Sequence, residues 1–145
     1  WKQATSELAY ERSGPERFLE TFYVMLELIR ALGPEPDLRG AEGLGRLVAQ
    51  LHTLRRMSVS VAGMLHAGKE PVVEGSLVKD LGTIWEQKLP NRVRELTAFL
   101  APEAGNRETL EEQLAFATMI APKLTIQGGT TEILRGIIAR GLGLR

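Results

Sequence analysis

Apolar residues recur along this chain at the helical period and nowhere alternate over a strand's length, which restricts it to helix-on-helix packing. Phe18, Phe22, Met25, Leu26, Ile29 and Leu32 form a first stripe that Gly33-Pro34 stops. A helix is therefore expected from near Lys2 to Leu32, with an irregularity at Gly14-Pro15. Leu44, Leu47, Val48, Leu51, Leu54, Val61 and Leu65 form a second stripe, closed by Gly68 and Pro71. Leu77, Leu81, Ile84, Trp85, Val93, Leu96 and Leu100 form a third, in which Pro90 is expected to kink or split the helix. A shorter helix with Leu110, Leu114 and Ala117 on one face is expected to stop or bend near Pro122. A final one, carrying Ile133, Leu134, Ile137 and Ile138, begins with Thr130 as its N-cap. Long amphipathic helices joined by short links predict an all-α fold: an antiparallel up-and-down four-helix-type bundle with a short final helix.

Composition narrows the function classes. At 145 residues and 43% hydrophobic content the chain has enough material for one core. Eighteen basic residues balance eighteen acidic ones, so no global field gathers nucleic acid or an anionic membrane surface. The absence of cysteine excludes disulfides and thiolate chemistry. No run approaches the ~20 apolar residues of a membrane span, and a soluble, cytoplasmic protein is expected. Trp1 stands first and a helical pattern begins almost at once, so the chain reads as cut from something longer. His52 and His66 lack a carboxylate ligand set, and no metal site is expected. Arg55-Arg56 reads as a solvated face, the four methionines as core-packing or interface residues, and Ser6 and Ser13 lack the His-acid pair of a nucleophile.

One stretch does not fit a plain bundle. In Ile126-Gln127-Gly128-Gly129-Thr130-Thr131-Glu132-Ile133-Leu134-Arg135, two glycines and two threonines interrupt the pattern just where an apolar helix begins. Glycine permits close approach to a backbone, and a helix N-terminus offers unpaired N–H donors. A capping turn without a ligand would also account for it.

The whole ending, "IQGGTTEILRGIIARGLGLR", resembles the C-terminal signature of the acyl-CoA dehydrogenase family, in which a Gly-Thr pair opens a final helix. Leu8-Ala9-Tyr10-Glu11-Arg12 is similar to the "L-x-x-E-R" of the helix that enters the same domain. The resemblance implies a C-terminal helical domain spanning residues 1–145, without the family's N-terminal helical and middle β domains, and inactive in isolation. It implies FAD as cofactor of the full-length protein, an acyl-CoA substrate, an electron-transfer flavoprotein or similar acceptor, and a homo- or hetero-tetramer. By position, Gly128, Gly129, Thr130 and Glu132 would lie nearest the cofactor and thioester.

The family's chemistry requires a carboxylate to take the proton next to the thioester while a hydride leaves the adjacent carbon. Many members place a glutamate just before the Gly-Thr pair, where this chain has Gly128. In isovaleryl- and long-chain-type members glycine stands there and the base is the glutamate of "L-x-x-E-R". The resemblance thus implies Glu11 as base, desolvated, with Arg12 beside it and Gly128 offering space and a backbone donor. Read alone, Glu11-Arg12 is equally a solvated pair in the first turns of a helix.

Two segments depart from the family. "DLRGAEGLGR" replaces the "R-x-x-F-G" turn before the second long helix, and "AFLAPEAGN" replaces "Q-x-x-G-G-x-G" after the third. Both normally grip FAD across a subunit interface, and their loss resembles heteromeric members, including those acting on steroid side chains. The alternatives are therefore a non-catalytic assembly subunit and a helical-bundle interaction module.

Overall fold

The apolar periods translate into helices whose ends are set by glycine, proline and caps. The computed structural model describes residues 2–100 and 105–144, with all their side chains except those of 2–6 and 9. Trp1, the Ser6 hydroxyl and residues 101–104 of the "AFLAPEAGN" segment lie outside the described residues. Among those described, the order is α1 (Lys2–Ser13), α2 (Glu16–Leu19), α3 (Phe22–Leu32), α4 (Leu38–His66), α5 (Val72–Thr97), α6 (Arg107–Ile126) and α7 (Thr131–Gly141).

The expected bundle forms, with α1–α3 as its first arm and α4, α5 and α6 as the others. Residue pairings give the directions. Ser58 Oγ donates to Ser13 O at 2.6 Å, so the first arm and α4 run antiparallel. A side chain at Gly43 would meet Leu96, which pairs the start of α4 with the end of α5. Arg94 Nη2 donates to Thr118 Oγ1 at 2.7 Å, and Lys79 Nζ to Leu124 O at 2.7 Å, so α5 and α6 are antiparallel as well. Asn106 Nδ2 reaches Glu27 O at 2.8 Å, while Lys123 pairs with Glu20. Met25, Leu28, Leu89, Val93, Leu110 and Leu114 are buried between these helices and form the apolar core. Helix α7 packs along the first half of α5, where Gly141 meets Val73 and Arg135 Nε bonds Asp80 at 3.4 Å.

Three expectations need correction. The first helix is broken twice: Gly14-Pro15 leaves only the short bonds Arg17 N to Gly14 O and Phe18 N to Pro15 O, both 3.1 Å. The second break is at Thr21, whose N–H donates to Glu86 Oε1 at 2.9 Å instead of to the preceding turn. Pro90, conversely, does not split α5, and Pro122 does not stop α6. Packing on the buried Leu89 and Val93 flanks the first, and Leu124 buries beyond the second. The third stripe is also displaced, since Leu81 is 43% exposed and Ser76, Lys79, Asp80, Thr83 and Glu86 take the buried face beside Val78 and Trp85.

Candidate functional site at the α6–α7 turn

The turn opens where α6 ends at Ile126 and Gln127 turns extended. Gly128 and Gly129 follow at φ +70° and +115°, backbone that side chains disfavour. Gly129 N donates to Ile126 O at 3.3 Å, and Gly128 O accepts from Arg12 Nε at 2.8 Å. The peptide between the two glycines is thus held at both its polar atoms. Thr130 takes the N-cap position of α7 with extended backbone, but its hydroxyl does not cap a backbone N–H as expected. The exposed Glu132 carboxylate is instead held below its usual range by its own backbone N–H and by the Thr130 hydroxyl.

The last turn of α1 meets this turn. Arg12 is buried, and that burial pushes its guanidinium below its ordinary value against the opposing pull of Glu11. Arg17, only 7% exposed, donates Nε to Glu11 O at 2.6 Å, Nη2 to Glu11 Oε1 at 3.3 Å and Nη1 to Gln127 Oε1 at 3.4 Å. The structure therefore brings Glu11, Arg12 and Gly128 into one cluster, Glu11 reaching the turn through Arg17 and Arg12 through its own bond. The expected desolvation of Glu11 is not present within this domain, where its side chain is 54% exposed.

Beneath the glycines lies a layer that periodicity could not reveal. A Cβ on Gly128 would sit 3.6 Å from Lys79 Cε, 3.7 Å from Arg12 Cγ and 3.9 Å from Arg17 Cζ. Lys79 is 1% exposed, and its ammonium bonds Leu124 O and the Thr83 hydroxyl. It thereby caps one carbonyl in the last turn of α6, where the helix dipole favours a cation. Burial pushes its pKa down to about 8, with Arg17 adding to the shift and Glu86 and Asp80 opposing it. Burial also raises Glu86, while the Thr21 N–H and hydroxyl pull the other way. Asp80 Oδ1 is buried without a hydrogen-bond partner. The only sequence signal for this layer is polar residues at helical spacing (Ser76, Lys79, Thr83, Glu86), which reads as a solvated face.

Other features lie apart. A groove of about 320 Å³ between α4 and α5, lined by Leu47, Gln50, Trp85 and Lys88 among others, is built without Glu11 or Gly128. His52 and His66 are exposed. Among the described residues no group of three or more His, Asp or Glu could hold a metal ion, and no helix is long and apolar enough to cross a membrane.

A helical bundle whose last helix opens from a positive-φ glycine pair, held by the entry helix, agrees with comparisons to known proteins. Residues 30–143 match the acyl-CoA dehydrogenase C-terminal domain, a span that includes the whole α6–α7 turn. The chain belongs to the acyl-CoA dehydrogenase family, of which it represents the C-terminal domain. It is also 28% identical, over 99% of its length, to a protein of Mycobacterium tuberculosis named acyl-CoA dehydrogenase FadE34. The chain spans about a fifth of the length of that curated relative. No solved structure matches it. Glu11, Arg12 and Arg17 precede the family match, so their roles rest on geometry and chemistry.

Proposed function

We propose that this domain belongs to an acyl-CoA dehydrogenase that converts an acyl-CoA thioester to its trans-2-enoyl-CoA, with Glu11 accepting the proton from the carbon next to the thioester. The observation that carries the reading is the 2.8 Å bond from Arg12 Nε to Gly128 O, which fixes the residue beside Glu11 against the first glycine of the turn. A carboxylate with half its surface open can reach a substrate carbon from the α1 side, and Gly128 adds no side chain to that approach. The Gly128 N–H, the α7 N-terminal N–H groups, Arg12 and Lys79 supply positive potential where a thioester oxygen gains charge.

Two features of the turn support a flavin there: its two glycines present bare backbone, and the Thr130 hydroxyl does not cap the start of α7, where Glu132 bonds its own N–H. Gly129, Thr130 and Glu132 are the residues that would hold FAD there. When bound, FAD accepts the hydride from the β-carbon. Arg12 keeps the turn in place, and Glu11 moves the proton. The substrate is then an acyl-CoA, the acceptor an electron-transfer flavoprotein or similar carrier, and the setting the cytoplasm.

A homo- or hetero-tetramer is supported by apolar side chains that the domain leaves uncovered. Phe116, Met119 and Ile126 are exposed at helical spacing on α6, and Leu142 and Leu144 at the end of the chain. This observation also favours the second reading, a non-catalytic subunit that completes a partner's site.

The deciding experiment is Glu11→Gln in the full-length protein. The amide keeps the shape and cannot take the proton, so flavin and acyl-CoA binding persist while flavin reduction by substrate falls on the order of 10²–10⁴-fold. Reduction at the wild-type rate sinks the assignment. Gly128→Glu in the same background offers a carboxylate from the turn side. Its Cβ meets nothing closer than 3.6 Å and its charge enters a cationic surround, while φ +70° costs it about 1–2 kcal/mol. Partial recovery supports the two positions facing one substrate carbon.

A further inference from the structure

We propose that Arg17 is the positioning residue of the α-proton base, anchoring the last turn of α1 so that Glu11 faces the Gly128 turn; this rests on the reading of Glu11 given above. Helix α1 ends at Ser13, so its final carbonyls have no partners within the helix. Arg17 answers one of them at 2.6 Å, the carbonyl of Glu11 itself. A cation at a helix C-terminus also opposes the negative end of the helix dipole.

The same guanidinium pairs with the exposed Glu16 carboxylate at 3.7 Å and hydrogen-bonds three further atoms with unequal closeness, and the inequality matters. Its grip on the Glu11 main chain is short, whereas its contact with the Glu11 carboxylate is 3.3 Å and that carboxylate stays 54% exposed. The backbone under the base is thus fixed while the base remains free to turn toward a substrate. Its third contact, at 3.4 Å, is Gln127 Oε1, the side chain adjoining Gly128. Among the described residues, Arg17 therefore bonds both to the proposed base and to the turn it serves.

Arg17 is itself rigidly placed. Its carbonyl lies where a side chain on Gly82 would be, 2.5 Å from the Cβ position, so the α2 backbone sits directly on α5. The break at Gly14-Pro15 is what folds Arg17 back under α1; a continuous helix would carry it a turn and a half further on. A charge-assisted hydrogen bond from a buried, five-donor fork is suited to hold a carbonyl and a carboxylate of one residue together.

The test uses the full-length protein with Arg17→Gln, Arg17→Lys and Gln127→Leu, each alone and combined with Glu11→Gln. Arg17→Gln is expected to slow flavin reduction on the order of 10²-fold with acyl-CoA affinity unchanged, as for a misplaced catalytic group. Arg17→Lys keeps the charge without the fork and should recover only part of this. In the Glu11→Gln background Arg17→Gln should cause no further loss, because a residue acting through Glu11 has nothing left to position. Amide hydrogen exchange in the last turn of α1, measured on the flavin-free protein, should accelerate in Arg17→Gln and stay unchanged in Glu11→Gln. An additive loss in the double variant, wild-type reduction rates in Arg17→Gln or Arg17→Lys, or unchanged exchange would each overturn the proposal. Should Arg17→Gln fail to fold, the reduction rates and exchange of Arg17→Lys and Gln127→Leu decide in its place. Wild-type reduction by Glu11→Gln would instead remove the base assignment, with exchange still reporting whether Arg17 anchors α1.

Discussion

The two halves of α5 are buried alike and filled with opposite chemistry. Its second half presents Leu89, Val93 and Leu96 to Met25, Leu28, Leu110 and Leu114, an ordinary close-packed core. Its first half buries Ser76, Lys79, Asp80 and Thr83, with Lys79 directly beneath the α6–α7 turn, and Glu86 follows at the Thr21 break. Buried charges stabilise a fold weakly, because desolvation offsets most of their attraction. One helix thus supports two layers: one that holds the bundle together and one that sets the electrostatics under the proposed site.

That contrast is breakable, starting with its largest expected effect. Glu11→Gln should slow substrate-driven flavin reduction on the order of 10²–10⁴-fold while leaving stability nearly unchanged, since its carboxylate is half exposed and its main-chain anchor is untouched. Leu89→Ala or Leu110→Ala should do the reverse. Each side chain is fully buried, so its removal should cost about 2–5 kcal/mol in denaturant unfolding while the folded fraction keeps its activity. A core variant that stays stable, or one that loses activity per folded molecule, would dissolve the distinction between the two halves.

Lys79→Met sharpens it through pH. Below about 8 both the folded and the unfolded chain carry the Lys79 proton; between about 8 and 10.5 the unfolded chain still holds it and the folded chain does not. Stability from this group therefore rises with pH across that window, by on the order of 3 kcal/mol. Unfolding curves of wild type and Lys79→Met should diverge over that range by this rise, and parallel curves would mean that Lys79 is no more desolvated than a surface lysine.

The smallest effect concerns the two caps. Asp37 Oδ1 accepts from Gly40 N at 2.6 Å at the start of α4, so Asp37→Ala should cost about 1 kcal/mol. Thr130 makes no such bond, and Thr130→Ala should cost clearly less when both variants are compared by thermal unfolding.

Legibility followed the same divide. Leu110, Leu114 and Ala117 sit on the buried face that their spacing predicted, because an apolar stripe has one place to go. The "IQGGTTEILR" stretch was visible as a turn because glycine pairs are rare before an apolar helix. Lys79 and Glu86 were not visible, since polar residues at helical spacing read the same whether water or another helix faces them. That Pro90 leaves α5 unsplit was not legible for a related reason: a proline's local cost is fixed, but the packing that outweighs it comes from residues distant in sequence. Glu86 capping Thr21 across 65 positions is likewise beyond any local pattern.

By itself the sequence determined the all-α class, the ends of most helices and the glycine turn, all consequences of hydrophobic period and backbone freedom that act within a few residues. Tertiary structure alone decided that the first arm breaks into three, that Arg12 seizes the Gly128 carbonyl, and that Arg17 and Lys79 lie buried beneath it. Those outcomes depend on which helix faces a given side chain, and that is fixed only when the whole bundle closes.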